Sequence, residues 1–131
     1  VDIRARVRSG GHGHAVQVRA DGRAQPLAVP GRPGGAGSAV NGGELLCLAL
    51  ATCSCNDLSR GAARRGLTLR GVEAVAEGGG PGEPARRITC SARAESDAPG
   101  AEVEALLRHT DAVAEVHNTL RGGIAVERRS P

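Results

Sequence analysis

The chain contains no Phe, Tyr, Trp or Met, and this absence limits what it can fold into more than any other feature. A core must be assembled from 11 Leu, 12 Val, 3 Ile and 22 Ala, with the 4 Cys as further small hydrophobes. The 26 large aliphatics are about one residue in five of the 131, a level that borders on disorder when charge is also high. Net charge is only +3, and the apolar residues fall in strand and helix periods, so the chain reads as folded. Its length suits one domain covering residues 1–131, with no internal repeat and no domain boundary. A monomer with so thin a core is marginal, because about 25 cal/mol per Å² of buried apolar surface must offset about 1 to 2 kcal/mol of backbone entropy per residue. Burial against a second copy is the simplest remedy.

The same absence bears on partners. Single-strand nucleic-acid platforms use aromatic stacking surfaces, and here there are none, so a pI near 9.0 does not point to nucleic acid. All 17 basic residues are Arg, a bias of composition more than of function. No apolar run reaches the ~18 residues of a membrane span and no signal-peptide pattern opens the chain, so the expectation is a soluble, cytoplasmic protein with no membrane partner. Cys53-Ser54-Cys55 and the absence of framework spacing favour free thiols over disulfides.

Val1 to Arg8 alternates apolar and polar residues, which predicts a half-buried strand with Val1, Ile3, Ala5 and Val7 on one face. Gly10-Gly11-His12-Gly13 makes a turn into a second strand over His14–Arg19, with Val16 and Val18 inward. Asp21-Gly22 is a hairpin signal leading to a third strand around Ala24–Val29. Pro30–Gly43 reads as a long loop. From Gly42 or Gly43 a helix is predicted, with Asn41 as N-cap and Gly66 as C-cap. Its leucines, Leu45, Leu46, Leu48, Leu50 and Leu58, point in almost every direction, as in a helix buried all round. Leu67–Glu77 predicts a strand bulged at Gly71 and broken by Gly78-Gly79-Gly80-Pro81; Ile88–Glu95 is its hairpin partner, with Ile88, Cys90, Ala92 and Ala94 inward. Asp97 is a candidate cap for a helix running to about His109. Helical pattern restarts at Thr110 or Asp111, ends at Gly122-Gly123, and gives way to a short strand over Ile124–Glu127. The order predicts an α+β fold with an antiparallel sheet of about six strands around a buried central helix.

The run Asn41-Gly42-Gly43-Glu44-Leu45-Leu46-Cys47-Leu48-Ala49-Leu50-Ala51-Thr52-Cys53 resembles the signature of the OsmC/Ohr family, in which Asn-Pro-Glu-x-Leu-Leu leads to a helical Cys. Gly34-Gly35-Ala36-Gly37 is similar to that family's glycine-rich approach to the helix, and Val116-His117-Asn118-Thr119-Leu120 to its Val-Ser-Asn-Thr-Leu ending. The resemblance spans essentially the whole chain. It implies an intertwined homodimer with thiol sites at the subunit interface, and a helical Cys that reduces organic hydroperoxides with help from an Arg, a Glu and a resolving Cys.

Cys53 matches the family's peroxidatic Cys. Attack on a peroxide oxygen needs a thiolate, and the sulfenic acid formed must meet a thiol before more peroxide arrives. The other parts have changed: the family's Glu falls on Gly43, with Glu44 one register round the helix; the activating Arg falls on His12; the resolving Cys falls on Ala114. Neutral His is a poor substitute for a permanent cation at pH 7. Arg32, in the long loop, could restore the cation from another position. Cys55 lies 200° round the helix from Cys53 and diverges from it, whereas Cys90 on its strand could approach. Cys47 and Cys90 read first as small core hydrophobes.

A rival reading is metal binding by Cys53, Cys55, Asp57 and one of His109, His117, His12 or His14, but Cys-x-Cys on a helix lacks structural-zinc spacing, so no metal and no cofactor are expected. His12 and His14 read as solvated, His109 as a C-terminal cap, His117 as an interface residue, and Arg4, Arg6 and Arg8 as a solvated face. The glycines before the helix lack a P-loop's Lys-Ser/Thr. The leading reading is a thiol-dependent redox protein with Cys53 as nucleophile and Glu44 orienting it, supplied by a thiol reductant. The competing reading is a family member without peroxidase activity that binds a small apolar or thiol-reactive ligand at the dimer interface.

Overall fold

In the computed structural model, which describes residues 3–11, 13–80 and 82–130, the alternating start of the chain forms β1 (Ile3–Gly10) antiparallel to β2 (Gly13–Ala20). Val1 and Asp2 of the predicted strand, and His12 of its turn, lie outside the described residues. Asp21-Gly22 closes the next hairpin, with Ala20 opposite Arg23. The third strand, β3 (Arg23–Gln25), is shorter than predicted because Pro26 has no N–H for the ladder. The order β1-β2-β3 makes one three-stranded sheet. Every residue of β1 is exposed, Ile3 by 68% and Val7 by 57%, so the face expected to turn inward is uncovered in the single chain. The loop that follows folds on itself: Gly31 bridges Ser38, and the Arg32 N–H donates to the Gly37 carbonyl at 2.9 Å.

The chain falls into two compact units, Val1–Leu45 and Leu46–Pro131. Helix α1 (Gly42–Arg64) spans their boundary. It starts at a reciprocal capping box: Asn41 Oδ1 accepts the Glu44 N–H at 2.9 Å, and Glu44 Oε2 accepts the Asn41 N–H at 2.7 Å. It ends as predicted at Gly66, whose φ of +67° lets its N–H reach the Ala63 carbonyl while the Leu67 N–H reaches that of Ala62.

In the second unit β4 (Leu69–Gly80) pairs antiparallel with β5 (Glu83–Ser96). The bulge predicted at Gly71 is present as a register shift between Leu69 and Gly71. The glycine run does not end β4; it stays in the ladder as far as Gly80, at the cost of a second shift between Gly78 and Gly80. Ile88, Cys90, Ala92 and Ala94 alternate inward on β5 as predicted.

Helix α2 (Gly100–Val113) begins after Pro99, not at an Asp97 cap; the carboxylate of Asp97 pairs with Arg70 instead. The break predicted near His109 falls later, at Ala114, whose extended ψ of 113° separates α2 from α3 (Glu115–Arg121). Asn118 and Arg121 bridge that break: Asn118 Nδ2 donates to the Ala112 carbonyl at 3.0 Å, and Arg121 pairs with Asp111 at 2.8 Å. Residues 124–130 carry no regular structure, so the predicted last strand is absent. Ile124 and Val126 are 69% and 96% exposed, an alternation with no neighbouring strand to complete a ladder.

The core of this unit is small. Leu58 and Ala62 of α1 pack with Leu106 of α2, flanked by Leu67, Leu69, Val72, Ala92 and Leu107. Helix α1 buries one stripe, Leu50, Ser54, Leu58 and Ala62, at the i, i+4 spacing of one face. The described residues thus form an α+β fold with antiparallel sheets of three and two strands, where about six in one sheet were expected. Among the described residues no helix is long and apolar enough to cross a membrane.

Candidate functional site

Cys53 sits in the middle of α1, half-buried and free. One turn on, Asp57 Oδ2 lies 3.4 Å from its Sγ, close enough for the thiol to donate. A further turn on, Arg60 pairs with the other oxygen of Asp57. The three residues form one i, i+4, i+7 row, and the Asp57 side chain is only 13% exposed. Burial pushes the Cys53 thiol above the usual thiol range. A backbone hydrogen bond from Val116 pulls it down, whereas the hydrogen bond and charge of Asp57 and the charge of Glu115 raise it further. At rest, then, Cys53 is held as a thiol with an acceptor for its proton.

Beside this row lies a cleft of about 390 Å³ lined by Asp57, Arg60, Gly61, Arg64, Arg65, His109, Thr110, Val113 and Glu115. His109 is in the body of α2 and lines this cleft; it does not cap a helix end, because the helix runs on to Val113.

One residue round the helix the chemistry differs. Ser54, 7% exposed, places Oγ 3.3 Å from His117 Nε2 and 3.5 Å from Cys90 Sγ. His117 is 6% exposed and its Nδ1 has no partner.

Glu44 is engaged in the capping box with Asn41, while the carboxylate beside Cys53 is that of Asp57. Arg32 is exposed in its own turn within the first unit. His14, read from the sequence as solvated, is half-buried, its Nε2 2.9 Å from Ser38 Oγ. His12 is outside the described residues. Cys47 and Cys55 are half-buried free thiols. Among the described residues no three His, Cys, Asp or Glu side chains gather as a metal-ligand set, so the grouping of Cys53, Cys55, Asp57 and a His does not assemble there.

The sequence profile of the OsmC-like protein family matches residues 35–129. The chain belongs to the OsmC-like family. Its fold is similar to that of an OsmC-like protein from Mycoplasma pneumoniae, at 18% identity and a TM-score of 0.66 over 93% of this chain and 87% of the other. It is also similar to a protein from Legionella pneumophila described as an organic hydroperoxide resistance protein OsmC and predicted redox protein, at 24% identity and a TM-score of 0.58 over 93% and 90%. No curated protein sequence matches the chain. Within this OsmC-like chain, the position where the resemblance implies a resolving Cys is Ala114, the buried residue at the α2–α3 break. From the sequence, Asp57 is only a metal-ligand candidate and Arg60 is not a site candidate. Their spacing of four and seven from Cys53 was the available signal.

Proposed function

We propose that the chain is a thiol-dependent redox protein that reduces organic hydroperoxides, with Cys53 as nucleophile and Asp57 and Arg60 in the parts that the family's usual Glu and Arg leave vacant here. The observation that carries this reading is the Cys53–Asp57–Arg60 row: a thiol donating to a carboxylate that an arginine also holds. Asp57 takes the S–H proton as sulfur attacks the distal peroxide oxygen. The O–O bond breaks, the distal oxygen stays on sulfur as sulfenic acid, and the alkoxide leaves with the proton from Asp57 as an alcohol. A thiol reductant then condenses with the sulfenic acid, releasing water and a mixed disulfide, and a second thiol frees Cys53. Dependence on such a reductant suits a reducing compartment, the cytoplasm.

The assembly we propose is a homodimer. Leu46, Leu48 and Val75 in the second unit are 36%, 57% and 44% exposed, and a second copy of the chain would cover the leucines that α1 leaves to solvent. Light scattering on eluted protein should give twice 13.2 kDa; a mass of one chain would remove the dimer.

Consumption of an organic hydroperoxide with a dithiol present, in wild type and in Cys53→Ser, tests the chemistry. Turnover lost in the variant is the expected result, and equal rates in the two proteins would sink it. The raised Cys53 thiol favours a second reading, in which an unreactive Cys53 borders a site for a small apolar ligand. That reading predicts ligand-dependent thermal stabilisation without turnover.

A further inference from the structure

The second unit carries another thiol in a different setting. Cys90 of β5 and Ser54 of α1 both line a cleft of about 410 Å³, within the range of small-molecule sites. Leu58, Ala92 and Leu107 give the cleft an apolar wall. Behind Ser54 stands the buried imidazole of His117, so that Cys90 Sγ, Ser54 Oγ and His117 Nε2 form a chain with links of 3.5 and 3.3 Å. Cys53 is not among the residues lining this cleft. Its own partner, Asp57, belongs to the other row of α1.

We propose that Cys90 is a second reactive thiol, independent of Cys53, that takes small apolar-bodied carbon electrophiles of the α,β-unsaturated carbonyl class, with Ser54 relaying its proton to His117. A thiol on an apolar wall is a soft nucleophile placed against a soft acceptor, and a serine between thiol and imidazole passes a proton without either ring or sulfur moving. Cys90 gives its proton to Ser54 Oγ as Ser54 gives its own to His117 Nε2. The sulfur pair forms an S–C bond at the β-carbon, the C=C π pair moves to the carbonyl as an enolate, and the α-carbon takes the proton back along the same chain. The sum is addition of S–H across C=C, with nothing oxidised or reduced. For Nε2 to accept from Ser54, the ring carries its own hydrogen on Nδ1, the nitrogen without a partner. Ser54 and His117 are positioning residues in this scheme; only Cys90 touches the electrophile.

The charged groups facing the cleft are Glu104, Arg108 and Asp111 of α2. Glu104 and Arg108 pair with each other at 3.0 Å, and Asp111 pairs with Arg121. They leave His117 as the base for Cys90.

The test is the rate of N-ethylmaleimide addition at each cysteine, read by peptide mass spectrometry across pH in the Cys53→Ser protein, where loss of peroxide chemistry at Cys53 has no bearing. Cys90 should react faster than Cys47 and Cys55. Ser54→Ala should slow Cys90 alone, by roughly ten- to a hundredfold as for loss of a general base, and move its rise in rate to higher pH. His117→Asn, which keeps a polar group of similar reach but is no base, should do the same if Ser54→Ala does not fold. Unchanged rates at Cys47 and Cys55 in the same sample report an intact fold. Cys90 no faster than those two, or a change in the variants shared equally by all three thiols or absent from Cys90, would overturn the proposal.

Discussion

Along one side of α1 run Cys53, Asp57 and Arg60; along the next run Leu50, Ser54, Leu58 and Ala62. The two rows are 100° apart on one cylinder, yet the first ends in a cation 68% exposed and the second in side chains 1 to 7% exposed. Each row holds a thiol's proton in its own way. On the outer row a carboxylate accepts from Cys53 and resists its ionisation; on the inner row an uncharged hydroxyl links Cys90 to an imidazole. The Asp57 carboxylate, only 13% exposed, is paired with Arg60, whose guanidinium reaches water. On the buried row an unpaired charge would cost several kcal/mol, and the chain places the hydroxyl of Ser54 there instead.

The inner row should carry most of the stability. Leu58→Ala removes a side chain 1% exposed from a core of very few residues and should cost about 2 to 5 kcal/mol, as large-to-small core changes do. Leu48→Ala on the solvent side of the same helix, 57% exposed, should cost less than about 1 kcal/mol in dilute protein. Urea melts at matched concentration compare them. A Leu48→Ala cost that approaches that of Leu58→Ala and grows with protein concentration would mean that a second copy covers the outer face, and the contrast between the two rows would belong to the monomer alone.

Asp57→Asn separates two roles of one carboxylate. Its hydrogen bond and charge both raise the Cys53 thiol, so removing the charge lowers that thiol toward the ordinary range and speeds alkylation of Cys53 at a fixed mildly alkaline pH. Peroxide turnover should fall in the same variant, by roughly a hundredfold, because the proton acceptor is gone. Alkylation and turnover that rise together would make Asp57 a brake on Cys53 and not its base.

Most elements follow from local patterns. The alternation of β5, the Asn41 cap and the Gly66 stop depend on neighbours within one or two turns, and these were legible. What escaped depends on contacts between elements. Ala114 breaks the last helical stretch although alanine is the best helix former, because Asn118 and Arg121 reach back across it to Ala112 and Asp111. Ile124–Glu127 has strand alternation but no edge to join. At the site, Cys53 followed from its resemblance to a family signature. Asp57 and Arg60 were within reach of helical spacing, whereas the meeting of Ser54, Cys90 and His117 joins residues 36 and 63 positions apart and no periodicity announces it.

The capping box gives a smaller test of how far the start of α1 supports either row. Asn41→Ala removes the acceptor for the Glu44 N–H and should cost about 1 kcal/mol, read as a lowered urea midpoint. Cys53 alkylation should not change, because its partners Asp57 and Val116 lie elsewhere.

The smallest effect expected is the pH dependence that Cys53 itself confers. Its thiol is raised in the folded chain, chiefly by burial, so between the ordinary thiol range and the folded value the native state still holds a proton that the unfolded chain has lost. Stability from this source is therefore complete below the ordinary thiol range and is lost as pH rises through the folded value. Urea midpoints of wild type and Cys53→Ala, compared at pH 7 and pH 10, should show a slightly steeper fall in wild type. A fall equally steep in both proteins would place the alkaline sensitivity at another group and remove the outer row's claim to hold its thiol protonated.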